Sequence, residues 1–518
     1  MYIEPTTNIR LLSGVPLDNS YRNTIAFYTN AQQNSYFLSR QKYNLGNYSY
    51  VRVSNGTARV GINANDLYDC NYMMFNNINF GNKWFFAFVS DIEYINNTTS
   101  LIHFELDVMQ TWFFDITYKE CFVEREHPKT DNIGEHILPE PVNIGELVFN
   151  DRNEIIPNLT RMICIVLVSD TQFGTGSLVD GVFSGCSVHA FKVESDYIDA
   201  LKNFIAGYTD SPESIVAIYM CPYFNANGVV DDSGTILSYN AKPARATSSS
   251  YQINDTYTLG GYKPRNKKLY SYPYNYFYVD NGSGSSLVMR YEFCNNLIPQ
   301  FRVAGTVTPP AQCQLRPVNY KGILQGSDQF SGALMSESLT LNNYPQCSFI
   351  IDAFRAWLAQ EAVPSVLTMG ANTVGSVASG GGLTSVAGNA FSSATNLVSQ
   401  GYKASIAADI TRGNTNNGSV NCAMGEQTFY GSRVSLNAKD AKMIDDYFTV
   451  YGYAVNTVKI PDIYSRPHWT YIKCSNALIV GKCPSTDIAR IESILNSGVT
   501  FWKNGDEVGN YSLDNSPE

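Results

Sequence analysis

Over much of this 518-residue chain apolar and polar residues alternate with a period of two, the pattern of strands that bury one face. The run Trp84 to Ile95 sets Trp84, Phe86 and Phe88 against Phe85, Ala87 and Val89, so both of its faces are apolar. Leu101 to Phe114 places Ile102, Phe104, Leu106 and Val108 on one face and His103, Glu105 and Asp107 on the other. The polar stretch Asn96 to Ser100 between them predicts a hairpin with a five-residue loop. A Pro- and Gly-spaced connector, Pro128 to Gly145, leads to an apolar strand, Met162 to Val168. Tyr197, Leu201, Phe204 and Ile205 predict a helix over 194–206, and Ile215 to Tyr223 a further strand. Strands Leu269 to Val279 and Leu287 to Phe293 are expected around the turn Asp280 to Gly284. Ile351, Phe354, Trp357 and Leu358 give a short helix over 349–360. Tyr447 to Ile460 is aromatic and β-branched and reads as a strand ending at Pro461. Ile488, Ile491, Ile494 and Leu495 predict a last helix, with Ser485 as N-cap and Gly498 as its stop. The fold class is mainly β with α+β decoration, in a multidomain chain expected to divide into 1–127, 128–345, 346–428 and 429–518.

One segment fits no element. From Ala362 to Tyr402 there is no charged residue, only Gly, Ser, Ala, Thr and Asn interleaved with apolar side chains, around a central Gly380-Gly381-Gly382. Loops of this length are usually functional or disordered. Too many apolar side chains stand here for a comfortable flexible linker. A loop packed on its own domain and a segment hidden in an oligomer and later released onto a membrane both fit. For the second, no charge need be desolvated, and Ala371, Gly375 and Ser379 offer small residues at close-packing spacing.

Composition narrows the function classes. Only 16% of residues are charged while 13% are aromatic, with 35 Tyr and 27 Phe, which suits surfaces buried against copies of the same chain. The net charge of −10 weighs against tight phosphate binding, which needs Lys and Arg. Eleven cysteines without a CxxC pair indicate free thiols and synthesis in a reducing compartment. The N-terminus lacks a signal-peptide pattern, and no run of about 20 apolar residues predicts a membrane span.

Candidate chemistry is sparse. His103, Glu105 and Asp107 share a strand face at a spacing compatible with metal or acid–base work, but a half-exposed strand gives the same alternation. His127, beside Glu124, Arg125 and Glu126, reads as local surface pairing. Lys263, Arg265, Lys267 and Lys268 followed by Tyr270, Tyr272, Tyr274 and Tyr276 could form a basic–aromatic nucleic-acid patch, or simply a basic turn entering a Tyr-rich strand. No phosphate loop, dinucleotide fingerprint or nucleophile elbow is present, so no cofactor, metal or catalytic residue is expected.

Several blocks carry a resemblance. They are Arg10-Leu-Leu-Ser-Gly-Val-Pro16 with Tyr21-Arg-Asn-Thr24, Asp66-Leu-Tyr-Asp-Cys-Asn-Tyr-Met-Met-Phe75, Phe80-Gly-Asn-Lys-Trp-Phe-Phe-Ala-Phe-Val89, His103-Phe-Glu-Leu-Asp-Val-Met-Gln-Thr-Trp112 and Val123-Glu-Arg-Glu-His127. Tyr451-Gly-Tyr453, Asn456, Lys459, Pro461, Arg466, Gly498-Val-Thr-Phe-Trp502 and Gly509-Asn-Tyr-Ser512 continue them at the C-terminal end. In this order they resemble the tail knob proteins of small short-tailed phages of Gram-positive hosts. The resemblance implies a tube-forming subunit, homohexameric, at the distal tail in contact with other tail proteins, conducting phage DNA without binding it. It also implies that the uncharged loop plugs the channel and later forms a pore in the host cytoplasmic membrane. The plug and membrane residues would be Val366, Leu367, Met369, Val374, Val377, Leu383, Val386, Phe391, Leu397 and Val398, with Gly375, Gly380, Gly381 and Gly382 as hinges. This chain departs in a shorter middle region and a loop poorer in Met. The alternative function is a tail-tip receptor binder or cell-wall polysaccharide hydrolase.

Overall fold

A computed structural model describes residues 7–48, 50–51, 56–78, 81–156, 256–306 and 427–517, with separate short stretches between 159 and 254 and between 311 and 348. The described residues are mainly β, as the alternation predicts, and form two compact units. The first comprises Met1–Gly145, Gly261–Leu269 and Ala438–Glu518; the second comprises Glu146–Gly260 and Tyr270–Asn437.

In the first unit a seven-stranded sheet runs in the order Gln41–Tyr48, Thr7–Ser13, Cys70–Asn77, Phe85–Asn96, Thr99–Leu106, Gly56–Val60, Tyr50–Val51. Its two border strands are one stretch of chain: Tyr48 pairs with Thr7 and Tyr50 with Ala58. Both ends of the strand order thus fall on neighbouring parts of the chain, and the sheet curves round as a barrel does. Phe85, Phe86, Ala87 and Phe88 are all buried, because this wall is covered on both sides. Phe37 of the Asn30–Ser39 helix stacks on Tyr72 at 5.2 Å and meets Phe86 at 4.6 Å, while Phe85 meets Phe75 and Trp112 on the opposite face.

The hairpin differs from expectation in two details. Asn96 pairs with Thr99, so its loop is two residues and not five. The second strand stops at Leu106, where Asp107 accepts the Gln110 amide at 3.1 Å and caps a short helix, Val108–Trp112. A buried cap outweighs the continuing alternation.

A five-stranded sheet in the order Asn23–Ile25, Val499–Trp502, Trp469–Ser475, Cys121–Glu126, Tyr453–Lys459 brings the two chain ends of this unit together. Ile472, Val499 and Phe501 join Ile9, Tyr72 and Phe86 in one core. Residues 447–451 are helical rather than extended: Ala441, Ile444 and Phe448 of the Ala438–Tyr451 helix are buried at a spacing of three and four, and only Tyr453–Lys459 is strand. Helical periodicity overrides the β propensity of the aromatic residues. The last helix is Ser485–Ser497; its N-cap is Pro484, so Ser485 lies inside the first turn, and Gly498 ends it at φ 94°.

In the second unit Leu147–Glu154, Tyr430–Leu436, Asn275–Asp280 and Ser286–Met289 form one antiparallel sheet. The expected strand over 269–279 begins only at Asn275, because residues Lys267–Tyr270 make a 3-10 turn. Its partner ends at Met289, with a second 3-10 turn over Tyr291–Phe293. The turn between them is as read: the Asn281 carboxamide oxygen accepts the amides of Ser283 (2.9 Å) and Ser285 (3.1 Å). The apolar strand Met162–Ser169 is the centre of a five-stranded sheet, flanked by Cys186–Lys192 and Ile215–Pro222. A further four-stranded sheet holds Ala244–Thr247, Gln300–Thr306, Gln312–Val318 and Leu339–Leu341. The helix expected over 194–206, except Phe204, and that over 349–360 lie outside the described residues.

Candidate functional site

The three residues that share the hairpin face are drawn to separate partners. His103 Nε2 lies 3.3 Å from the Glu93 carboxylate. Glu105 pairs with Arg490 and accepts from Asn19. Asp107 is buried, caps its helix and accepts the Tyr72 hydroxyl at 2.7 Å; burial pushes its carboxyl up to about 6. Among the described residues no three His, Cys, Asp or Glu side chains are placed to hold a metal ion. Among the cysteines whose side chains are described, Cys70, Cys121, Cys164, Cys221, Cys294, Cys313, Cys474 and Cys483 carry no disulfide.

Around His127 the pairing expected at a surface is instead internal: Arg125, Glu126 and His127 are all buried. The His127 ring accepts the Tyr471 amide at Nδ1 (2.8 Å), so its proton is on Nε2, which donates to the Thr449 carbonyl (3.1 Å). Burial, with Arg466 and Arg125 nearby, lowers its pKa to about 3. It is a neutral structural pin between a strand and a helix end.

The basic–tyrosine run separates into core and ion pairs. Tyr270 and Tyr274 are fully buried. Arg290 covers the Tyr272 ring at 4.1 Å. Lys268 is buried and paired with Glu140, and Arg265 reaches Asp446 at 2.8 Å. A nucleic-acid platform needs free cations beside free rings, and Arg265 and Lys268 are neutralised internally.

Glu140, within the Pro- and Gly-spaced connector, is the hub of this arrangement. Its fully buried carboxylate pairs with both Arg125 and Lys268 and accepts the Ala454 amide at 2.9 Å. Nothing local in 128–145 marks it; only the arrival of two cations from distant segments does. The exposed apolar positions are a second omission. In the five-stranded sheet, Val458 of the border strand and Phe122 of the strand beside it are cross-strand partners and both exposed, with exposed Ile460 just after the border strand. In the second unit Phe149 is 60% exposed and packs edge-on against Tyr278 at 5.3 Å. Contiguous exposed apolar side chains of this kind mark contact surfaces. The plug and hinge positions over 366–398 lie outside the described residues.

Comparison with known proteins identifies the family. Residues 238–516 match the family described as Bacillus phage phi29 tail knob protein gp9, C-terminal domain. The chain belongs to the phage tail knob family. Residues 5–118, the barrel segment, also match the N-terminus of the Caudoviral major tail protein. Tail knob protein gp9 of Bacillus phage PZA is 27% identical, and that of Bacillus phage phi29 25%, each over 98% of both chains. The solved tail knob protein gp12 of bacteriophage C1 shares the fold, with a TM-score of 0.66 at 16% identity over 98% of this chain and 99% of that one. As a tail knob family member the protein is a structural component of a phage tail, located in the virion beside other tail proteins. These relatives are each named for a part of the tail.

Proposed function

We propose that this tail knob protein assembles as a homohexameric distal tube through which phage DNA leaves, with the uncharged segment first plugging the lumen and then entering the host cytoplasmic membrane. The observation that carries the reading is the match along 98% of the chain to tail knob proteins. Physical features support it. The exposed apolar pair Phe122 and Val458 offers a face through which copies can meet. The net charge of −10 per chain favours a lumen that repels phosphate over roughly one Debye length, about 8–10 Å.

Inside a tube, Val366, Leu367, Met369, Val374, Val377, Leu383, Val386, Phe391, Leu397 and Val398 hide against their copies, at about 25 cal/mol per Å² of apolar surface removed from water. Release leaves the bilayer as the next apolar environment, where backbone groups must pair within a helix or an oligomer. Electron microscopy of the purified protein is expected to show rings of six; a stable monomer at micromolar concentration overturns the tube. The triple change Val377→Asp, Val386→Asp, Phe391→Asp is expected to leave the ring intact and abolish dye release from anionic liposomes. Equal release by both proteins, or by neither under any trigger, removes the membrane step. No turnover of peptidoglycan or teichoic acid is expected; turnover abolished by one carboxylate substitution would establish the hydrolase alternative.

A further inference from the structure

The chain enters or leaves the first unit at four places, residues 145, 261, 269 and 438. Each lies within a few residues of one polar cluster inside that unit. Glu140 stands just before the first passage and Lys268 just before the third, and the two are paired to each other with Arg125. Asp445, a short step after the fourth, is fully buried on its side chain and receives the middle segment almost entirely. It accepts the Tyr262 hydroxyl (2.7 Å), the Arg265 amide (2.9 Å) and both the amide (3.0 Å) and the carboxamide (2.8 Å) of Asn266. Asp131 completes the arrangement by accepting the Tyr453 hydroxyl at 2.8 Å and the Lys267 amide at 3.1 Å. The first and fourth passages also touch directly. Gly145 has φ +69°, and a Cβ there would collide with the Asp440 carboxylate.

These contacts are of a kind that fails together. Three carboxylates with little or no exposure hold groups from three sequence-distant segments, and removing one leaves buried cations or donors without partners, which is far costlier than losing a surface pair. The barrel core, by contrast, consists of apolar contacts among residues from Ile9 to Val123 and from Ile463 to Phe501; Val123 shares a strand with Arg125, but no core residue makes one of these hydrogen bonds. Proteins open in cooperative parts of unequal stability, and the polar cluster and the barrel core have the physical make-up of two such parts.

We propose that the cluster centred on Glu140 and Asp445 is a tether point: it binds together all the segments through which the chain passes out of and back into the first unit, so that they hold or release as one group while the barrel stays closed. The segment 261–269, whose charge suggested nucleic-acid contact, is thereby an internal strap. It enters the first unit, is held by buried carboxylates, and leaves again.

Hydrogen–deuterium exchange of the full chain with Glu140→Gln tests this. Amide carries no charge to offset Arg125 and Lys268, and exchange is expected to accelerate about a hundredfold in peptides covering 136–145, 261–269 and 438–446 together. Barrel peptides covering 70–77 and 99–106 are expected to stay within about twofold of the parent, as parts of a separately opening region do. Acceleration confined to the peptide bearing the substitution overturns the tether, and so does equal acceleration throughout the first unit. Should Glu140→Gln fail to fold, Asp446→Asn gives the milder form of the experiment. It removes the exposed pairs of Asp446 with Arg265 and with Lys442, and the same three peptides are expected to speed up together by about two- to fivefold, the range of exposed ion pairs. A response limited to 438–446 again overturns the proposal.

Discussion

Replacing Gly452 by alanine is expected to lower the melting temperature by roughly 8–16 °C, or to leave no soluble protein, from a loss of about 4 kcal/mol. Gly452 ends the Ala438–Tyr451 helix with φ +63° and returns its amide to the Phe448 carbonyl at 2.8 Å. Left-handed backbone costs an L-residue about 1–2 kcal/mol. The larger part is steric: a Cβ at this position meets the Glu126 carbonyl and comes to 2.7 Å from the His127 amide nitrogen. Glu126 ends a strand fixed between two neighbours, the His127 amide after it donates to the Tyr471 carbonyl at 3.2 Å, and the Gly452 carbonyl accepts from Arg125 at 2.7 Å, so neither side can withdraw. Gly509→Ala provides the comparison. It has φ +87° and open space around its Cβ position, so about 1 kcal/mol is expected from backbone conformation alone. Thermal melts of both variants check the difference; equal losses would show that the approach of helix end to strand is not tight.

Loss of stability between pH 6.5 and about 3 is expected to be dominated by His127. Its folded pKa lies near 3 against an ordinary 6.5 because burial and two arginines disfavour the cation. In that interval the unfolded chain binds a proton that the folded chain refuses, so stability falls as pH falls. At about 1.4 kcal/mol per pH unit, the whole interval corresponds to on the order of 4–5 kcal/mol. Asp107 acts in the opposite direction. With its folded pKa raised from 3.8 to about 6, the folded chain takes up the proton first, and stability rises as pH falls from 6 towards 3.8; the interval is shorter and the effect smaller. His127→Gln can still accept from Tyr471 and donate to Thr449. Its melting temperature is expected to be lower at pH 7 and to decline less steeply down to pH 4. Asp107→Asn is expected to decline more steeply than the parent. Parallel acid limbs for parent and His127→Gln would remove His127 from the account.

Where structure follows from neighbours along the chain, the sequence alone was sufficient. The two hairpins, the central strand Met162–Ser169, the last helix and the mainly β class were legible because period-two burial and turn chemistry are local. Even the double-sided apolar pattern of residues 84–89 was visible, though not its cause, a barrel wall packed on both faces. The blocks from Arg10 to His127 and from Tyr451 to Ser512 carried the family, and two of them contain Gly452 and His127. Their spacing along the chain gives no hint that they meet. That contact, the capping of a helix by Asp107, the helical state of 447–451 and the pairing of Lys268 with Glu140 were decided by tertiary structure. The Gly452–His127 contact and the Lys268–Glu140 pair join residues far apart in sequence, whereas the Asp107 cap and the helical state of 447–451 are local structures selected by what the fold buries. A strand face bearing His103, Glu105 and Asp107 looks like a site until its carboxylates find other partners. A basic loop looks like a phosphate binder until buried acids from two other segments close on it. Charge and periodicity are properties of a segment, whereas burial and partnership belong to the fold, and those two quantities determine whether a charged side chain is a site or a strut.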